Sequence, residues 1–394
     1  MNRKLKMITL ILWIIIVITL LFILIYNISS RNNIGFNLTL NNKAFNNMTV
    51  QKEESMSLDG CANIKIDFSS EEIKLTTIDD DDLKIIQESS KQLNDDEKFI
   101  MTKSGDTITV QRGDTSFNSA IHFFQFQNIG VQRIQVLVPK KYTKALNITS
   151  TSGDINITSS LSLSDINCNA SSGEITCSDN IQSEDNAIFK STSGDIELKG
   201  VSAKESSFEA SSGEITCSDN IQIEDKALFQ STSGDIKLKG VSATESSFKA
   251  SSGKISLDGT ITSEKSEIKT SSGDVGINEL NSDYDIGTSS GQIRINSLLL
   301  GSGNIESSSG DINIAYKDIR DYSNLKSSSG EVHANVDKGI SFEFEGKCTS
   351  GEIDRNFDLS YKNKKGNEAN GEVGEGPYKK ININTTSGDI KVRH

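Results

Sequence analysis

A Ser-Gly pair recurs along this chain with a period near twenty, and no other feature constrains the fold as strongly. Its glycines are Gly153, Gly173, Gly194, Gly213, Gly234, Gly253, Gly273, Gly291, Gly310, Gly330, Gly351 and Gly388, at spacings of 20, 21, 19, 21, 19, 20, 18, 19, 20, 21 and 37. One unit of that length cannot bury an apolar edge alone, so its copies are expected to stack on one another. Residues 171–210 and 211–250 match at 33 of 40 positions, differing for example at Ser183 and Ile223 or Glu197 and Lys237. The array has therefore grown by duplication of a two-coil block, and the gap of 37 marks an insertion at about 354–380.

Alignment on the glycine separates inward from outward positions. Two residues after it every copy carries Ile or Val, as in Ile155, Val275 and Ile390. Four after it stand Ile157, Cys177, Leu198 and their equivalents up to Val392, with Arg355 the one misfit. Five before it come Ile148, Cys168, Phe189, Phe208, Phe229 and Phe248, and three before it small residues such as Ala170, Ser191, Ala210 and Thr270. A period of two is strand geometry. Each coil therefore reads as a strand, a tight Ser-Gly corner, a second strand and a looser turn. The serine before each glycine, from Ser152 to Ser387, shares the inward parity, and the glycine is expected to supply a φ > 0 turn. Aromatic content of only 6% suits a slim stack built from small and β-branched residues.

The fold class that follows is all-β, a β-solenoid of stacked coils of ~20 residues, with repeats over 141–394. Twelve coils would make a rod roughly 55 Å long at the usual strand spacing. Residues 52–140 are expected to hold an N-terminal cap and the first half-coils, with Ile64–Phe68, Ile73–Leu75, Thr107–Val110 and Ile134–Leu137 as strands.

Ahead of the rod, Met7–Tyr26 is an apolar run interrupted only by Thr9 and Thr19, long enough to cross about 30 Å of hydrocarbon. It reads as a single N-terminal transmembrane helix rather than a cleaved signal peptide, since the run is long and Asn27-Ile28-Ser29-Ser30 offers no small-x-small cleavage site. Arg3, Lys4 and Lys6 precede it, which predicts a cytoplasmic tail over 1–6, a linker over 27–51 and an extracytoplasmic remainder. With prolines only at Pro139 and Pro377 there is no L-P-x-T-G motif, so retention is expected to rest on the helix.

The net charge of -13, with no basic stripe interleaved with aromatics, argues against nucleic-acid binding. Without the three tail cations, 38 basic residues face 54 acidic ones in the remainder. Five cysteines, Cys61, Cys168, Cys177, Cys217 and Cys348, are odd in number and form no C-x-x-C pair, so they read as small core residues and not as a disulfide framework or zinc site. His122, His333 and His394 are scattered and read as surface or loop residues.

The acid after each glycine, as in Asp154, Glu174 and Asp195, raises the question of a calcium-binding ladder. Lys254 and Gln292 interrupt it, and one acid per repeat is fewer than calcium rolls use, so a solvated outer corner is expected. Asp79–Asp82 reads as an exposed turn. Catalysis requires a constellation that breaks the repeat, and none stands out, so no catalytic, cofactor or metal residue is assigned. Two stretches do depart from the pattern. Phe117, Phe123, Phe124 and Phe126 surround His122 and are expected to form an apolar lid on the first coil, and Gly366–Gly376 is expected to be a flexible, tolerated insertion.

The strand Val136-Leu137-Val138-Pro139, followed by Leu146-Asn147-Ile148-Thr149-Ser150-Thr151-Ser152-Gly153-Asp154-Ile155, resembles a bacterial domain-of-unknown-function family that carries the label "putative adhesin". The resemblance covers roughly residues 50–394. Lys254, Gln292 and the insertion depart from the family pattern without disturbing the inward positions. The resemblance implies a β-solenoid of the bacterial envelope, with no catalytic residues to carry over. The expected role is a non-enzymatic, membrane-anchored structural or adhesive module. Its repeated outer ladders would contact a surface, an envelope polymer or another envelope protein, weakly per coil and many times over. The alternative is an envelope-stress sensor or regulator acting through a membrane partner, because a six-residue tail cannot signal alone.

Overall fold

The computed structural model describes residues 48–113, 130–358, 360–361 and 366–394. The apolar run Met7–Tyr26 and the phenylalanines around His122 lie outside these residues. Among the described residues, no helix is long and apolar enough to cross a membrane.

Strand follows strand through the described chain, and one 3-10 turn at Asp95–Glu97 is the only helical element among the described residues. Successive coils pair in parallel with like residue on like residue. Ile175 lies between Ile155 and Ile196, and Cys168 between Ile148 and Phe189. The chain is thus an all-β solenoid. The twenty-residue period fixes this, because a slip of one residue would place an inward residue over an outward one and a slip of two would take the corner glycines off one another. The inward columns are fully buried, Ile155, Ile196, Phe208 and Phe229 each being 0% exposed. Phe189, Phe208, Phe229 and Phe248 stack at centroid spacings of 5.7, 4.8 and 5.1 Å with nearly parallel rings. Each such pair contributes about 0.5–1.5 kcal/mol beyond its buried area.

Each coil has three sides. Taking the Gly173 coil, the strand Ile166–Ala170 leads to the corner, Ile175–Cys177 leaves it, and Ile181–Ser183 follows as a third short strand. The looser turn read from the sequence therefore contains a strand of its own, paired in parallel with Leu161–Leu163 below and with Ile181↔Val201 above. The signal was weak because only two inward residues per coil mark it. We call the three sides the first, second and third sheets in that order.

The corner corrects two expectations. Positive φ among the described residues is confined to Gly60, Gly105, Gly366 and Gly374, so the Ser-Gly glycines do not adopt it. Glycine is required there by close approach: a Cβ on Gly194 would sit 2.1 Å from the Gly173 carbonyl oxygen and 2.4 Å from its carbon. The glycine itself takes the inward place, and the serine before it is exposed, so the inward alternation changes phase at the corner. Where the residue three back is Ser or Thr, its hydroxyl closes the bend. Ser191 Oγ accepts from Gly194 N at 2.9 Å and donates to the Gly173 carbonyl at 3.1 Å, an arrangement repeated by Ser231 and Thr270.

At both ends the coils are not stacked in chain order. The strands Asn63–Phe68 and Glu72–Ile78 form a coil held between Ala145–Ser150 with Ile155–Ile157 on one side and Thr107–Arg112 with Gln132–Pro139 on the other. At the far end Lys379–Thr385 and Ile390–Arg393 pair with the Gly330 coil beneath and with Phe342–Cys348 and Ile353–Arg355 above. The Gly388 coil is thus inserted between those of Gly330 and Gly351. Antiparallel strands finish each end: Asp82–Ser89, then Thr49–Ser57, beyond Gln132–Pro139, and Glu368–Val373 beyond Phe342–Cys348. The Gly366–Gly376 stretch expected to be a flexible loop therefore supplies a cap strand.

Candidate functional site

The outward positions make three chemically different surfaces. Along the ridge of Ser-Gly corners, the two residues before each glycine are exposed Ser or Thr, from Thr151-Ser152 to Thr386-Ser387. Their backbone is tied from coil to coil, as in Ser172 N to Thr151 O at 2.9 Å and Ser193 N to Ser171 O at 3.0 Å. Beside the ridge runs the row of acids that follows the glycines. Its aspartates cap the stack: Asp154 Oδ1 accepts from Glu174 N at 3.0 Å, Asp195 from Glu214 N at 2.7 Å and Asp235 from Lys254 N at 2.8 Å. Each carboxylate of this kind has a structural partner in the next coil, whichever residue stands there, which is why Lys254 and Gln292 fit the row. Among the described residues no group of three or more His, Cys, Asp and Glu is arranged to hold a metal.

Charge crowds on this second sheet. Burial raises the Glu174 carboxyl above its ordinary range, and Glu197, Asp154 and Asp195 push the same way against the hydroxyl of Thr176. Near the far end Glu331 carries an ion cluster, accepting from Lys391 Nζ at 2.8 Å and lying 2.9 Å from His333 Nε2. Those two partners hold its carboxyl below the usual range. His333 is therefore a surface residue in an ion cluster, whereas His394 packs edge-on against Phe342 and Phe357 at 5.5 and 6.5 Å. Asp79–Asp82 is an exposed turn, with Asp79 paired to Lys140 at 2.8 Å and Asp81 to Lys141.

The first sheet is different. At the outward positions four and six residues before the glycine it carries Lys190, Lys249, Lys269, Lys326 and Lys347 against Glu209, Glu267, Asp285, Glu306 and Glu345, a balance of charge. Most of these neutralise one another across coils, as in Lys190–Glu209 at 2.9 Å, Lys249–Glu267 at 2.8 Å and Lys269–Asp285 at 2.6 Å. Between the pairs lie amides. Asn324 Nδ2 donates to Asn304 Oδ1 at 2.9 Å, and Asn382 Nδ2 to Asn324 Oδ1 at 2.8 Å. Two shallow polar grooves follow this sheet along the stack. One, of about 340 Å³, has Asn169, Lys190, Glu209 and Gln230 on one wall and Ser171, Thr192, Ser211 and Thr232 on the other. The other, of about 450 Å³, runs over Asn304, Asn324, Asn382 and Asn384. Ser150, Ala170, Ser191 and Ala210, the small-residue column three before the glycine, also line the first groove. That column is visible in the sequence, but the groove is not.

All five cysteines are buried and unpaired, as core residues should be. Burial pushes the Cys168 thiol up to about 12 and that of Cys217 up to about 11. Neither is suited to act as a nucleophile, because the thiolate is the reactive form.

None of the curated proteins matches this sequence. Among solved structures, a putative cell adhesion protein from Clostridium sporogenes aligns at 10% identity and a TM-score of 0.18, over 88% of this chain and 99% of that one. A putative lipid binding protein from Parabacteroides distasonis aligns at 14% identity and 0.28, over 86% and 96%. A putative adhesin from Bacteroides fragilis aligns at 10% identity and 0.21, over 86% and 96%. Likeness at these scores carries no weight beside the family match, in which Toastrack DUF4097 covers residues 61–219 and 207–393. With nearly the whole rod matched in two overlapping copies, the chain belongs to the Toastrack DUF4097 family.

Proposed function

We propose that this chain is a non-enzymatic interaction module of a bacterial cell envelope, anchored by the apolar run Met7–Tyr26 and displaying the solenoid outside the membrane. The observation that carries the reading is the uniformity of the outward surface. Coil after coil presents the same hydroxyls, paired charges and backbone-capping aspartates, and catalysis needs one place unlike the rest. A repeated surface is suited to multivalent contact, in which weak sites add up along a rigid support. Carbonate extraction of the full-length chain, followed by protease treatment of intact cells, tests the anchor and its orientation. Retention in the membrane with the rod digested from outside is expected, and a soluble or protected rod sinks this part. Binding of the full-length chain in mild detergent to whole bacteria, purified envelope polymers and host matrix, with calcium and with chelator, tests the module. Saturable binding is expected. A well-folded chain that binds none of them removes the adhesive reading and leaves a regulator acting through a membrane partner.

A further inference from the structure

The two outer sheets differ in charge as well as in shape. The second sheet, at one and three residues after the glycine, carries twelve acids, Asp154, Glu174, Asp195, Glu197, Glu214, Asp235, Asp274, Asp311, Glu331, Glu352, Asp354 and Asp389, against four cations, Lys237, Lys254, Arg294 and Lys391. The first sheet is balanced, and both grooves lie on it. The third has one outward residue per coil, such as Ser162 or Gln182, and is too narrow to seat a chain. A polyanion is repelled by the acidic side of the rod, and a polycation is drawn to that side, away from the grooves. The first groove presents a hydroxyl at each coil along one wall and, along the other, the amides of Asn169 and Gln230 with the Lys190–Glu209 pair between them; the second presents asparagines beside Glu306, Lys326 and Glu345. The backbone of this sheet is spent on its parallel neighbours, so an extended peptide finds no strand edge there to pair with. The groove walls carry no row of apolar pockets for alternating side chains either.

We infer that the first-sheet grooves bind a linear, uncharged glycan lengthwise, parallel to the rod axis. This rests on the interaction-module reading and names its ligand class. The glycan's hydroxyls would exchange hydrogen bonds with Asn169 and Gln230 on one wall and with Ser171, Thr192 and Thr232 on the other. The coil spacing, about 5 Å between stacked strands, is close to the length of one sugar unit in an extended chain, so successive units meet a hydroxyl of Ser171, Thr192, Ser211 or Thr232 in turn. Affinity per unit is low and grows with the number of coils engaged.

The test is co-sedimentation of the full-length chain, in mild detergent, with three insoluble neutral glycans (a β-glucan, a β-linked N-acetylglucosamine polymer and a mannan) and with cross-linked polygalacturonate as the anionic probe. Saturable binding to at least one neutral glycan is expected, with none to polygalacturonate. The double variant Asn169→Glu, Gln230→Glu replaces the two wall amides by carboxylates, beside Lys190 and Lys249 of the neighbouring coils, and is expected to weaken that binding at least tenfold. The control Ser256→Glu, Asn313→Glu, on the second sheet beside Lys237 and Arg294, leaves it within twofold. All three proteins should melt alike by circular dichroism. Binding that ignores the groove variant, or that favours the anionic polymer, overturns the inference. Capture by whole bacteria without binding to any neutral glycan overturns it too but leaves the interaction module standing, whereas absence of all binding removes both.

Discussion

Replacing Gly234 by Ala isolates what the corner glycines do. Its φ is not in the left-handed region, so alanine meets no backbone-conformation penalty there. The obstacle is contact alone: the new Cβ would lie 1.9 Å from the Gly213 carbonyl oxygen, 2.4 Å from its carbon and 2.8 Å from Glu214 N. All three are backbone atoms, so no side chain can swing aside. Relief requires the two coils to part by roughly 1 Å at the corner, which takes hydrogen bonds of ordinary length out of range. Those at stake are Ser233 N to Ser211 O at 2.9 Å, Thr232 N to Ala210 O at 3.2 Å and Ser231 Oγ to Gly213 O at 3.2 Å. At about 1 kcal/mol each, with about 1–3 kcal/mol for overpacking, the loss is about 4–6 kcal/mol. Gly276→Ala is the matched control. It lies in a strand, and its Cβ would meet nothing nearer than the Ile255 carbonyl oxygen at 4.0 Å. Alanine there narrows the unfolded ensemble and is expected to be neutral or stabilising by up to about 1 kcal/mol. Urea titration of both variants followed by circular dichroism makes the comparison. A Gly234→Ala loss below about 1 kcal/mol, or equal effects at the two sites, refutes the close-approach account.

The Ser206 hydroxyl is buried without a hydrogen-bond partner. Ser206→Ala is therefore expected to raise the urea midpoint, by about 1 kcal/mol of stability, and a loss would show that the hydroxyl has a use. Glu174→Gln should be more stable than the parent at neutral pH, because a folded carboxyl raised by burial and neighbouring acids disfavours the charged form. That penalty disappears as pH falls through the raised folded value, so melting curves of the two proteins should converge in acid, and a gap that widens there is the contrary result. Iodoacetamide at mildly alkaline pH should label the native protein at least roughly tenfold more slowly than the urea-unfolded one, since burial holds the thiols of Cys168, Cys177, Cys217 and Cys348 up, and equal rates would contradict their core placement. Deletion of 211–250 joins Ala210 to Ser251 in the phase that Ser211 had, leaving Phe208 and Gly253 in one coil. A shorter rod with the same dichroism per residue and a single melt is expected, and aggregation or loss of β signal would mean the duplicated block is not interchangeable.

The inward columns were legible because the repeat supplies twelve aligned copies, and parity can be read column by column. Three features were not. The third strand has too few inward residues per coil to register as alternation. The change of phase at Ser-Gly placed the glycine inward and its serine outward, which a continuous period of two cannot express. The first groove is a property of neighbouring coils, lying between the residues four before the glycine and those two before it.

The order of coils at the ends was hidden for a deeper reason. Parallel coils with the same inward residues fit one another in any order, so the sequence of stacking has to be read from the residues that do not fit. Arg355 is one. It occupies the place that Val392 takes in the coil beneath, and it is only partly buried because the Gly351 coil is outermost, with a parallel neighbour on one side alone. In an interior coil the same guanidinium would lie between two apolar layers, at a desolvation cost of several kcal/mol. Glu71 is the other. It stands where later coils have glycine, its carbonyl facing the place a Gly153 Cβ would take, and its buried side chain faces Arg112 at 3.9 Å. Each misfit thus marks a coil near an end. By stepping one coil outward, laying an antiparallel strand on it and returning to fill the gap, the chain blocks the open parallel edge of the stack that would otherwise template pairing with another molecule. The same route ties down the C-terminus, where Asn356 Nδ2 donates to the His394 carbonyl at 2.9 Å and His394 N donates to Asn356 Oδ1 at 2.8 Å. The outer coil therefore has no parallel partner except residues 378–394, which stand between it and the Gly330 coil.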